Sequence, residues 1–176
     1  MGEMVKASTR LTQAAPDAFP PSMPHRPADD DSIAAAAVRL GRPLDGQHEM
    51  LLRLADGWEL AFLSGTLLGT DDLGQGRLWA EANSSLDAFY AEGDSIGWPP
   101  RDELMPLHAS PYDSDVMALW LGGPVTEGGH PVLYYSGGIV DRWPNVYEWW
   151  LGMLRLQERS LAHVVKLTGQ ETTDPR

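Results

Sequence analysis

At 176 residues with no cysteine, the chain has the length of one domain and excludes a disulfide framework, a thiolate zinc site and a cysteine nucleophile. Its net charge of -12 and pI near 4.6 repel phosphate backbones and anionic lipid, which argues against direct nucleic-acid or membrane binding. The same charge suits a basic protein partner, or serves solubility alone. No run approaches the length of a membrane span, and the N-terminus has no signal-peptide core, so a cytoplasmic location is expected.

Residues 1–31 carry Pro16, Pro20, Pro21, Pro24 and Pro27 and are expected to be a disordered arm, because proline removes backbone donors and blocks helix. A single domain is expected over 32–168, followed by a disordered tail at 169–176. "DDDSIAAAAVRLG" predicts a helix capped at Asp31 or Ser32 and stopped by Gly41. "QHEMLLRLA" predicts a second helix burying Met50, Leu51, Leu54 and Ala55. "WELAFL" alternates as a strand with Trp58, Leu60 and Phe62 on one face, and "SGTLLGTDDLGQG" reads as a turn-rich excursion at the sheet edge. "RLWAEANSSLDAFYAEG" predicts a helix ending before Gly93, and Pro99-Pro100 a loop.

Three short strands follow at "LMPLHA", "DVMALWL" and "PVLYYS", with a brief last one at "GGIVDRW". In the closing helix, at about 100° per residue from Val146, Trp150 falls at about 40°, Met153 at about 340° and Leu154 at about 80°. That puts Trp150 at the centre of an apolar face and Trp149 and Tyr147 on its flanks.

Motifs for chemistry are missing. His48-Glu49 lacks the second histidine of a zinc-protease helix, and His108 and His130 are two histidines at no defined spacing. Asp71-Asp72 and Asp113–Asp115 lack the alternation of a calcium loop. Ser64 and Ser136 are not in a G-x-S-x-G turn, and "GTDDLGQG" lacks the Lys-Ser or Lys-Thr of a phosphate loop. No metal, cofactor or catalytic set is expected.

The order of elements resembles the SUKH superfamily, which groups the yeast Smi/Knr cell-wall regulators with bacterial immunity proteins. The resemblance spans residues 33–157 and is carried by "RLGRPL" before "EMLLRLADG", by "GTLLGTDDL", by "LMPLHASPYDSDVMALWL", and by "PVLYYSGGIVDRWPNVYEWWLGML". It implies an α+β fold, a curved, mainly antiparallel sheet with helices packed around it. It also implies work by binding rather than catalysis: an immunity protein that neutralises a cognate toxin domain, often a nuclease, with a basic face. The alternatives are a regulatory or scaffold protein with an endogenous partner and, third, a small enzyme. The candidate partner-binding residues are Trp98 and Trp143, each beside a proline and outside regular helix, with Asp113, Asp115 and Glu127 in turns between strands. Each of these also has a bland reading, as loop packing or as a solvated turn.

Overall fold

The computed structural model describes residues 1–62, 65–92 and 96–168. The helix stop expected at Gly93, the Ser64 turn and the tail 169–176 lie outside the described residues. The fold is α+β. An open, curved antiparallel sheet runs in chain order through β1 (Trp58–Phe62), β2 (Gly65–Leu67), β3 (Leu104–Ala109), β4 (Val116–Trp120), β5 (Val132–Tyr135) and β6 (Ile139–Trp143). The helices are α1 (Gly2–Ala14), α2 (Asp30–Leu40), α3 (Gly46–Leu52), α4 (Gly76–Glu92) and α5 (Val146–Thr168), with a 3-10 turn at Arg101–Glu103.

The sheet is covered on both faces, which is why β3, β4 and β5 read as short apolar runs rather than alternating ones. On one face Trp58, Leu67, Met105, Met117, Leu119 and Val132 meet Val146, Trp149 and Met153 of α5, with Met4 of α1 and Leu51 of α3 joining them. On the other, Ala109, Val116, Ala118, Leu133 and Tyr135 meet Ile33 and Ala36 of α2 and Ala82 and Leu86 of α4. A register shift between Pro106 and His108 turns Leu107 and His108 to the α5 side.

Several expectations are corrected. The arm expected to be disordered is ordered, because its prolines begin only at Pro16. Residues 2–14 form α1, whose Met4, Ala7 and Leu11 are buried at helical spacing. The proline-rich remainder is tied down by backbone bonds: His25 N–H to Gly57 O at 2.9 Å, Asp56 N–H to Arg26 O at 3.2 Å and Ala28 N–H to Leu52 O at 3.0 Å. The cap of α2 is Asp29, whose carboxylate accepts Ser32 N–H at 2.8 Å, while Gly41 ends the helix at φ +66° as expected. Residues 65–67 are an inner strand, leaving β1 and not this segment at the sheet edge. Leu60 adopts φ +51°, which breaks the alternation of β1 and buries Ala61 beside Phe62.

The helices α3 and α5 are rotated from their expected faces. α3 buries Gln47, His48, Leu51 and Leu52, leaving Met50 and Leu54 more than half exposed. Polar Gln47 faces inward because it ties two segments together: its Nε2 donates to Glu127 O at 2.9 Å, and its Oε1 accepts Tyr147 N–H at 2.9 Å. In α5 the buried residues are Val146, Trp149, Met153 and Gln157, and Trp150 is only half-buried. The apolar stripe is wider than the sheet contact, and its other flank lies beside Met1 at the start of α1.

Candidate protein-binding surfaces

The structure separates the predicted contact residues into two groups at opposite ends of the sheet. Asp113 and Asp115 lie in the β3–β4 turn. Asp115 accepts the Tyr134 hydroxyl, and its N–H donates to Asp113 Oδ1 at 2.9 Å. Burial, followed by Asp115, pushes the Tyr134 phenol well above its usual range. Trp98 is at the same end, packed edge-on against Tyr90 and Tyr135 at ring separations of 5.2 and 5.7 Å. At the other end, Glu127 sits in the β4–β5 loop at φ +52°, its carbonyl held by Gln47. Trp143 ends β6 with its indole over Gly152, where a Cβ would lie 2.5 Å from Nε1. Both tryptophans are half-buried and have packing roles; Asp113 and Glu127 are exposed.

Two surface features stand out that sequence reading missed. The larger is a cleft of about 620 Å³ between the ordered arm, the β1–β2 end of the sheet, the first turn of α4 and the β3–β4 turn. Asp29, Asp56, Glu59, Asp71 and Asp72 line it, against Arg26 and Arg77, so its balance is negative. Pro111 and Tyr112 form part of its wall, and Tyr112 is 75% exposed. Three of the carboxylates have structural work. Asp29 caps α2, Asp56 accepts Thr70 N–H at 2.5 Å and Thr70 Oγ1–H at 2.7 Å, and Asp72 accepts Gly69 N–H at 3.0 Å. Arg77 is drawn along α4 to Glu81 at 2.9 Å. The signals in the sequence are Asp71-Asp72, which fail only as a calcium loop, and Tyr112, adjacent to the acidic β3–β4 turn.

The second feature is an apolar groove of about 310 Å³ between α3 and the start of α5, lined by Met50, Leu51, Leu54, Tyr147 and Trp150. Met50, Leu54 and Tyr147 are each more than half exposed there.

The histidines do not assemble a site. His108 is fully buried, stacked on Phe62 at 5.0 Å with Nε2 3.1 Å from Phe62 O, while His130 lies at the opposite end of the sheet. Asp45 and His130 have the form of an acid–base pair, Oδ2 to Nδ1 at 2.7 Å. That carboxylate is buried and also accepts Gln47 N–H and His48 N–H at 2.9 Å each and His130 N–H at 2.8 Å. Its acceptor sites are thus spent on capping α3 and pinning the β4–β5 loop. Burial lowers His48 and His108 to about 4. Among the described residues, no group of three or more His, Asp or Glu side chains is placed to hold a metal ion, and no helix is long and apolar enough to cross a membrane.

No family model matches the chain, and no curated protein matches it. Among solved structures it is similar to a protein from Pseudomonas syringae pv. tomato, at 16% identity and a TM-score of 0.50. The match covers 85% of this chain and 98% of that one, and at that identity it speaks for the fold alone.

Proposed function

We propose that this chain is an immunity protein of the SUKH kind, which binds and occludes a basic toxin domain in the cell that makes both. The observation that carries the reading is the acidic cleft, where five carboxylates and an exposed tyrosine edge a concave surface on a chain of net charge -12. Nucleases present basic grooves to their substrates. An acidic, concave partner accelerates encounter with such a groove through the long-range field, and an aromatic at its rim supplies contact area that holds the complex. The resemblance in element order supports the same reading.

The test is co-expression with a toxin module encoded beside this gene. Rescue of growth and a co-purifying complex whose association slows with added salt are expected. A toxin that still kills and does not co-purify overturns the pairing. A second reading, a scaffold with an endogenous partner, is favoured by the apolar groove between α3 and α5, which is separate from the cleft. Met50→Glu distinguishes the two, since it blocks the groove and leaves the cleft unaltered.

A further inference from the structure

We infer that the acidic cleft receives an arginine side chain of the partner protein, its guanidinium bound by Thr66, Glu59 and Asp71 with Tyr112 against its face; this rests on the binding reading above. The deciding residue is Thr66 in β2. Only 8% of it is exposed, it lines the cleft, and its hydroxyl has no hydrogen-bond partner among the described residues. The hydroxyl is not among the fully enclosed unpartnered atoms, so water reaches it, and once that water is excluded it loses a bond unless a ligand supplies one. Closing a protein partner over the cleft excludes that water.

The surrounding groups set the ligand's charge and shape. Asp29, Asp56 and Asp72 are occupied by backbone or hydroxyl donors. The carboxylates of Glu59 and Asp71 are exposed, line the cleft, and have no partner among the described residues. Residues whose side-chain acceptors have no partner among the described residues therefore line the space from β1, from β2 and from the turn before α4. A planar donor with N–H groups spread around its edge meets acceptors in several directions, which a compact ammonium does less well. Tyr112 adds an exposed aromatic face, and guanidinium stacks on such faces. The arginine comes from a protein because the cleft is far larger than one guanidinium, so backbone on either side of the side chain has room to seat.

The experiment titrates the full-length chain with N-acetyl-arginine-N-methylamide, followed by amide chemical shifts, beside the citrulline and lysine counterparts. Saturable shifts at Thr66, Gly69 and Asp71 are expected, with citrulline weaker by about tenfold or more because it lacks the charge. Thr66→Val should weaken arginine binding several-fold, Thr66→Ser should restore it, and Glu59→Gln with Asp71→Asn should abolish it, all without a change in melting midpoint. Equal binding of citrulline or lysine, shifts confined elsewhere, or an indifferent Thr66→Val overturns the inference. The probe needs no toxin, so the two readings fail separately. Growth rescue without arginine binding sinks the arginine inference alone. Arginine binding with no toxin captured sinks the immunity reading.

Discussion

Trp149→Ala is expected to be among the most damaging single changes to stability, and Trp150→Ala a moderate one. The Trp149 ring is fully buried, edge-on to Phe62 at 5.5 Å and to Trp150 at 6.1 Å, with Nε1–H directed to Met117 Sδ at 3.0 Å. A tryptophan side chain buries on the order of 200 Å². At about 25 cal/mol per Å² the transfer contribution is about 5 kcal/mol, an upper figure because the unfolded chain already hides part of that area. Loss of the aromatic contacts and the cavity left behind act in the same direction, and removal of large core aromatics costs about 3–5 kcal/mol. Trp150 is only half-buried, so about half that loss is expected. Urea unfolding of both variants measures the difference, provided the slope with denaturant stays constant. In heating, Trp149→Ala should lower the midpoint by about 10 °C, at about 2–4 °C per kcal/mol for a chain of this size. If Trp150→Ala proves as costly as Trp149→Ala, the rotation of α5 described above is wrong.

Three further predictions follow from other parts of the molecule. Burial lowers His48 and His108 from 6.5 to about 4, so the unfolded chain binds more protons between those values. Stability is therefore complete above pH 6.5 and falls toward pH 4, by up to about 3 kcal/mol per histidine, and His108→Gln should flatten the slope measured by urea titration across that range. Leu11→Ala in α1 should cost about 2–4 kcal/mol, because the residue is 3% exposed; an unaltered midpoint would mean the arm is loosely held after all. At the open edge of the sheet, Asp141 Oδ1 accepts Arg142 N–H at 2.8 Å, which blunts β6 against pairing with another strand. Asp141→Val should raise the self-associated fraction in light scattering, and a strictly monomeric variant would contradict that role.

Much of the fold was legible because its signals are local. The four C-terminal strands alternate or run apolar between glycines, prolines and aspartates, and β3 falls on the residues expected. The amphipathic period of α5 was equally clear. The helix within the arm is masked by the proline-rich composition of residues 16–27, although Met4, Ala7 and Leu11 carry its period and no proline precedes Pro16. Of the candidate surface, the acidic pair Asp71-Asp72 and the acidic β3–β4 turn beside Tyr112 were readable, since each is a cluster of neighbours in sequence.

Periodicity along one segment states that a face is apolar; it does not state how far the helix rotates before that face meets its partner. The choice of Trp149 over Trp150 was made by the sheet on one side and by α1 on the other. Leu60 took a left-handed backbone, and β1 gave up its alternation, where the arm crosses the strand. The cleft exists only because residues 25–32, 56–60, 66–72 and 111–112 meet at one end of the sheet. Those segments share no local pattern, and only packing of distant parts of the chain could bring their carboxylates to one cleft.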